Sequence, residues 1–283
     1  MNILIFCSND IFAGIVGHKL ISEKGNLIKC IFLEKGRMNG KSSIEIFKKM
    51  IRKSGVRYPL YQAAELLSYE IISKIRRGIK CKNSNYMPLE LPSYLANRYG
   101  INTDYIDFDI SDEAFLDKIK SYAPDLIICL RFSRILEKPL LSIPKYDVLN
   151  FHGSLLPKYG GLGSIFQAVY HKEEITGGSM HFMSETIDEG HILGQSHVPI
   201  RPSDSVSRVH FKVYLTSAAL LLKAVDMIMN QRICNISKNT MESSYYSWPK
   251  KEDIIKFKQS GGRFISLSDL LYFYRIENHV GKI

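Results

Sequence analysis

Four short runs of this chain are apolar at nearly every position: NILIFC from Asn2 to Cys7, LIKCIFL from Leu27 to Leu33, PDLIICL from Pro124 to Leu130 and DVLNF from Asp147 to Phe151. A strand with one wet face alternates apolar and polar residues, whereas a strand covered on both faces reads as a continuous apolar run. The first run leads into the capping residues Ser8-Asn9-Asp10 and then IFAGIVGHKLI at helical spacing, with the second run following. Strand, helix, strand within about 30 residues opens a doubly wound fold, so the fold class is expected to be α/β with a mostly parallel sheet. Gly14 and Gly17 fall inside the helix pattern and make no G-x-G-x-x-G, which rejects a nicotinamide dinucleotide site.

Between the second and third strands lies an insertion, at about residues 36–95. It begins as a polar loop and continues as a basic amphipathic helix with Ile44, Phe47 and Ile51 on one face. A second helix is expected from Tyr61 to Arg77, then a loop containing Pro88 and Pro92. Its cations include Lys48, Lys49, Arg52, Lys53, Arg57, Lys74, Arg76, Arg77, Lys80 and Lys82, read as a solvated face or as a phosphate-attracting flank. The sheet resumes with INTDYIDFD, and SDEAFLDKIKSYA is a helix whose start is marked by Ser111, Asp112 and Glu113. From Ser203 a long scaffold helix carries Val209, Val213, Leu220, Ala224 and Met227 at helical spacing. Residues 1–235 are expected to form the main domain and 236–283 a short C-terminal appendage. That appendage is too short for an oligonucleotide-binding barrel. Its Tyr245, Tyr246 and Trp248 read as a staple to the chain's own domain or to a second subunit of a homodimer, with a stacking platform as the alternative.

Composition sets the bounds on partners. Hydrophobic residues are 45% and charged residues 23%, and no apolar run approaches the roughly 20 residues of a membrane helix. The start, MNILIFCSND, lacks the basic region and cleavage site of a secretory signal, which points to a cytoplasmic protein. Cys7, Cys30, Cys81, Cys129 and Cys234 are odd in number and form no C-x-x-C, as suits buried thiols in a reducing compartment. A net charge of +10 and a pI near 9.2 suit an anionic partner: a phosphorylated small molecule, RNA or an acidic membrane. A merely lysine-rich surface would give the same figure.

The chemistry is concentrated in DVLNFHGSLLPKYGG and, further on, ETIDEGHILGQ. Asn150 and His152 are two apart on a strand and therefore emerge on one side. The glycines and Pro157 then force a shaped loop, after which Ser164 is expected to cap the helix IFQAVYHKE. TGGSMHFM and HILGQSHVPI read as two strands whose connection supplies Asp188-Glu189-Gly190. An amide, an imidazole and a carboxylate suit acyl transfer, in which an oxyanion must be stabilised and a nucleophile must lose a proton. His152, His171, His181, His191 and His197 crowd one region, as in a metal hydrolase; no H-E-x-x-H or comparable ligand pair occurs, and no metal is expected.

At these residues the chain resembles the folate-dependent formyltransferases, which include glycinamide ribonucleotide, methionyl-tRNA and amino-sugar formyltransferases. The resemblance is carried by N-x-H-x-S-L-L-P at Asn150 to Pro157, T-G-x-S-x-H-F at Thr176 to Phe182 and Asp188-Glu189-Gly190, in that order. It extends in outline from residue 1 to about 230 and is poorest over 40–95. After the tyrosine the family usually has Arg-Gly, where this chain has Gly160-Gly161 after Tyr159.

The resemblance implies a formyltransferase-like Rossmann variant and 10-formyltetrahydrofolate as co-substrate. It implies Asn150 as a neutral oxyanion donor, His152 as a second, cationic donor, and Asp188 as the group that orients the imidazole and receives the amine proton. Phe132, Ser133, Arg134, Ile135 and Leu136, with Glu185, Thr186 and Ile187, are implied as folate contacts. The size of the chain and its aromatic tail are similar to the nucleotide-linked amino-sugar enzymes, so a phosphate-bearing small-molecule amine is the expected acceptor. Methionyl-tRNA, and hence a nucleic-acid partner, is the enzymatic alternative, and a non-catalytic folate- or RNA-binding protein is the alternative of another class. A formyltetrahydrofolate hydrolase would keep the same trio but usually carries an N-terminal regulatory domain.

Overall fold

The structure, a computed structural model, describes residues 1–35, 37–38, 41–78, 89–107, 109–231 and 243–275, of which 37–38, 41–43, 76–78 and 275 by backbone alone. Lys80, Lys82, Cys81, Cys234 and the expected domain boundary at 235 lie outside the described residues. The chain opens with strand β1 (Ile3–Ser8), helix α1 (Ile11–Lys24) and strand β2 (Ile28–Glu34). The insertion supplies the two-residue strands β3 (Arg37–Met38) and β4 (Lys41–Ser42), then α2 (Ser43–Ser54) and α3 (Arg57–Gly78). After α4 (Pro92–Arg98) come β5 (Thr103–Ile106), α5 (Glu113–Ser121), β6 (Leu126–Leu130), the short α6 (Lys138–Leu141) and β7 (Val148–His152). Then follow β8 (Gly160–Gly161), α7 (Ser164–Tyr170), β9 (Ile175–Phe182), β10 (Ile192–Pro199) and α8 (Val206–Met229). The C-terminal part adds β11 (Tyr245–Tyr246), α9 (Lys251–Gln259) and α10 (Leu267–Arg275).

Seven strands form one sheet in the order β10-β9-β7-β6-β1-β2-β5. The run from β5 to β7 is parallel, and β9 and β10 are added antiparallel at the end next to β7. The sheet is thus doubly wound and mostly parallel, as the apolar runs lead one to expect. Alternation along β1 shows why those runs are continuous. Ile3, Ile5 and Cys7 join the core beneath α1 and α8, while Leu4 and Phe6 join the core beneath α5. Both faces are covered, so neither can be polar. Cys7, Cys30 and Cys129 are free and buried in these strands. From β1 the chain winds outward one way through β2 and β5, then returns to lay β6 and β7 on the other side. Such a reversal leaves a crevice beyond the carboxyl ends of the two central strands, here β1 and β6.

Several local expectations are corrected. In α2 the core takes Met50 and, partly, Ile46, leaving Ile44 and Phe47 exposed. The helix carries two overlapping apolar stripes, and docking against the core, not periodicity, selects between them. Pro92 begins α4 at a position where a missing N–H costs nothing, and so belongs to a helix rather than a loop. Asp112, not Ser111, caps α5 by accepting from the Ala114 amide at 3.0 Å. Gly163, in a left-handed conformation, precedes α7, and Ser164 is already helical, its hydroxyl donating to the Gly153 carbonyl. Ser205 caps α8, so the scaffold helix starts at Val206.

The C-terminal segment lies on the main body. Tyr246 stacks on Tyr159 with ring centroids 5.4 Å apart, Trp248 is buried, and the Ser54 hydroxyl donates to the Pro249 carbonyl. No helix among the described residues is long and apolar enough to cross a membrane.

Candidate active site

Residues on β7 and β9 build the floor of the crevice. The antiparallel register sets Asn150 opposite His181 and His152 opposite Ser179. The Asn150 amide nitrogen lies 3.0 Å from His181 Nε2, and His181 Nδ1 lies 3.0 Å from the Phe182 carbonyl. The carbonyl can only accept, so Nδ1 carries the proton and Nε2 accepts from Asn150. One N–H of the Asn150 amide is thereby held by His181, and the second is left to the cavity. Burial, followed by the charge of His152, pushes His181 down to about 4, so the ring is neutral at pH 7 and remains an acceptor.

The loop after His152 is fixed by its own Ser154 and by Ser179 on β9. Ser154, fully buried, donates to the Tyr159 carbonyl at 3.0 Å, while Ser179 donates to the Ser154 carbonyl and accepts from the Leu156 amide. This returns the Tyr159 carbonyl to within 3.1 Å of His152 Nε2. The other ring nitrogen, Nδ1, faces Asp188 Oδ1 at 3.5 Å. Each nitrogen of His152 therefore faces an oxygen acceptor, an arrangement that suits the doubly protonated ring.

Asp188 arrives on the β9–β10 connection in a left-handed conformation (φ 59°) that aspartate tolerates better than most residues. Its Oδ2 accepts from the Gly161 amide at 2.7 Å and its Oδ1 lies 3.8 Å from His181 Nε2. Gly190 closes that connection: a Cβ there would sit 1.6 Å from the Phe182 carbonyl oxygen. Gly161 has an equally definite cause. With φ +84° and β11 alongside, a Cβ would lie 2.1 Å from the Tyr246 carbonyl oxygen. The Gly-Gly pair is thus the seat of a C-terminal strand, with Gly160 and Leu162 amides donating to the Ser244 and Tyr246 carbonyls.

Opposite Asn150 and Asp188, residues 131–136 form a wall. Glu34, at the end of β2, accepts from the Ser133 amide (3.0 Å), the Ser133 hydroxyl (2.6 Å) and Arg134 Nε (3.2 Å), and Arg134 also donates to the Ile106 carbonyl. Phe132 packs on Phe6. Between this wall and residues 183–188 lies the cavity, about 420 Å³. Asn150, His152 and Asp188 line it, as do Phe132, Ser133, Arg134, Ile135, Leu136, Glu185, Thr186 and Ile187, so the expected catalytic and folate-contact residues all line one cavity. A slot with apolar sides (Phe132, Leu136, Met183, Ile187) and main-chain edges fits a flat, hydrogen-bonding heterocycle such as a reduced pterin.

Sequence reasoning left other lining residues without a role: His181, Arg131, Glu65 and His210. His181 stood inside a recognised motif, and pairing TGGSMHFM with the Asn150 strand would have revealed its place. The other three come from distant elements with no shared local pattern. Among the described residues there is no cluster of three or more His, Cys, Asp or Glu arranged to hold a metal ion.

Two buried histidines predict an acid-side loss of stability. On α1, His18 keeps a buried Nδ1 with no hydrogen-bond partner among the described residues, and burial, then Arg98 and Lys19, push it down to about 4, the value that burial and His152 give His181. Between pH 6.5 and 4 the unfolded chain takes up these protons and the folded chain does not, so stability falls as pH falls through that window. Each group contributes at most about 3 kcal/mol to the fall. Denaturant midpoints at pH 7.5 and pH 5 check this: the wild type should lose stability at pH 5, and His18→Gln should lose less.

Residues 88–225 match the family model described as formyl transferase. The methionyl-tRNA formyltransferase of Halalkalibacterium halodurans is 36% identical over 155 residues, covering 54% of this chain and 49% of that protein. The bifunctional polymyxin resistance protein ArnA of Wigglesworthia glossinidia brevipalpis is 32% identical over 161 residues, 56% of this chain and 24% of that protein. The chain spans about half the length of the methionyl-tRNA formyltransferases it matches. In fold it is similar to phosphoribosylglycinamide formyltransferase from Anaplasma phagocytophilum, with a TM-score of 0.57 and 17% identity over 87% of this chain and 98% of that one. It is also similar to the N-formyltransferase from Helicobacter canadensis in complex with folinic acid and dTDP-3-aminofucose, with a TM-score of 0.54 and 17% identity over 87% and 71%. Through residues 88–225, just under half of its length, the chain is similar to the formyltransferase family.

Proposed function

We propose that this protein transfers the formyl group of 10-formyltetrahydrofolate to a primary amine, most simply one on a nucleotide-linked amino sugar, and acts in the cytoplasm. The observation that carries the reading is the convergence of Asn150, His152 and Asp188 on one side of a slot whose other side is the 132–136 wall. The reaction makes a C–N bond from the acceptor amine to the formyl carbon and breaks the bond from that carbon to the folate nitrogen. The Asn150 N–H not held by His181 is the neutral donor to the oxyanion. Asp188 steadies the imidazolium of His152, takes the amine proton directly or through water, and lets His152 return a proton to the departing nitrogen. These steps call for no metal.

For the acceptor, the C-terminal segment supports the amino sugar. β11 seats on Gly160-Gly161 and brings Tyr245 to the edge of the cavity, narrowing its approach beside Asp188. The second reading, methionyl-tRNA, is favoured by the names of the relatives, most of which are methionyl-tRNA formyltransferases. Residues 1–235 would form the catalytic unit under either reading, with 236–283 as the acceptor-side appendage.

The test offers labelled 10-formyltetrahydrofolate with a panel of nucleotide-linked amino sugars (dTDP-3-aminofucose among them), charged initiator tRNA, and water. Label on an amino sugar supports the reading. Label on tRNA alone replaces the acceptor, release to water alone makes the protein a hydrolase, and bound but untransferred donor makes it a folate-binding protein.

A further inference from the structure

Beyond Asn150 and His152 the cavity continues to an end walled by α3 and α8 and by the turn after β6. Formyl transfer as described gives no task to the ionisable groups gathered there. Asp10 caps α1, its Oδ1 accepting from the Phe12 and Ala13 amides, so the amides of that helix terminus are already answered by a carboxylate. Its Oδ2 accepts from Arg131 Nε at 2.7 Å. Arg131 Nη1 donates to the Tyr214 hydroxyl at 3.1 Å and faces His210 Nε2 at 3.5 Å. On its other side His210 presents Nδ1 to both oxygens of Glu65 at 3.1 Å, and Glu65 also accepts from the Tyr61 hydroxyl at 3.0 Å.

This row disfavours one kind of ligand and suits another. Its single guanidinium stands among two carboxylates, so no uncompensated cation is offered to a phosphate. Two further residues of α3 line the same end, Tyr58 and Gln62. Tyr58 is only 2% exposed, and neither its hydroxyl nor the Gln62 amide has a protein hydrogen-bond partner among the described residues. Gln62 is half-buried and both side chains line the cavity, so each has hydrogen-bonding capacity to offer to what enters it. A carboxylate that accepts, an amide that donates and accepts, a phenol that does both, and the aromatic side chains of Tyr58, Tyr61 and Tyr214 beside them together suit a polyhydroxylated ring.

We propose that this end holds the uncharged, hydroxyl-bearing sugar ring of the acceptor, with Tyr58, Gln62 and Glu65 selecting it, and that the acceptor's phosphates stay outside it. The proposal rests on the amino-sugar reading for its substrate but not for its test, because sugar binding is measured apart from transfer. Tyr58→Phe and Gln62→Ala are the informative variants, since neither side chain makes a protein hydrogen bond whose loss would harm the fold. Saturation-transfer NMR with a methyl aminohexoside lacking any phosphate is expected to show binding to the full-length wild type, weakened about tenfold in each variant, as for one lost hydrogen bond. With a nucleoside-diphosphate-linked aminohexose as acceptor, each variant should raise the acceptor KM about tenfold while the KM for formyl-folate moves less than twofold.

Absence of aminohexoside binding to the wild type overturns the proposal, and so does binding unchanged in both variants. If the glycoside binds and the variants weaken it while no acceptor takes label, the sugar site stands and the transfer reading fails. If label passes to charged tRNA and the glycoside does not bind, transfer stands and the sugar site fails.

Discussion

Asp188→Asn is expected to reduce formyl transfer by about 100- to 10,000-fold, the range over which a positioned acid or base acts, while leaving the protein folded. Asparagine matches the shape of aspartate and tolerates the left-handed backbone at φ 59°. Its carbonyl can still accept from the Gly161 amide, as Oδ2 now does at 2.7 Å. The variant therefore keeps the seat of the loop and removes only the charge facing His152 Nδ1 at 3.5 Å. Asp188→Ala loses both and should be at least as inactive, with a lower thermal midpoint as well. Single-turnover measurement with labelled donor and the acceptor identified by the panel checks the pair. Near-wild-type transfer by Asp188→Asn would remove the carboxylate from the mechanism.

The second large effect concerns Asn150. Asn150→Ala deletes the N–H aimed at the oxyanion, and loss of one such donor costs about 100- to 1,000-fold in turnover elsewhere. It also strips His181 Nε2 of its hydrogen bond in a site where His181 is 1% exposed. Leaving a buried acceptor unmatched costs about 1–3 kcal/mol, so a drop in stability should accompany the drop in rate. Asn150→Asp keeps the size of the amide but can donate no N–H to His181 or to the oxyanion, so it should be as inactive and lose the same hydrogen bond while leaving no cavity. Formyl-folate binding measured directly should change little in either variant, because the 132–136 wall is held from the other side by Glu34. Retained turnover in Asn150→Ala would assign the oxyanion to other donors.

Much of the frame was legible because it is local. Continuous apolar runs announced strands covered on both faces, and Ile3, Ile5 and Cys7 do face one core while Leu4 and Phe6 face the other. The Asn150–His152 spacing fixed a common side, and the serines of the following loop were recognisable as a motif before their hydrogen bonds gave it a cause. The errors were of a different kind. The inward face of α2 and the start of α8 were misread, since helix docking and a choice among several neighbouring caps both depend on what lies opposite.

What the sequence by itself determined is the layered α/β architecture and the set of side chains able to perform acyl transfer, because period, capping and motif spacing are written within a few residues of one another. Only the tertiary structure decided that His181 fixes the Asn150 amide, that β11 seats on Gly160-Gly161, and that Arg131, held by Asp10, meets His210 and Glu65 at one end of the cavity. Those partners lie as far as 145 residues apart in sequence, and strand register and helix docking, which bring them within hydrogen-bonding distance, depend on the packing of the whole core.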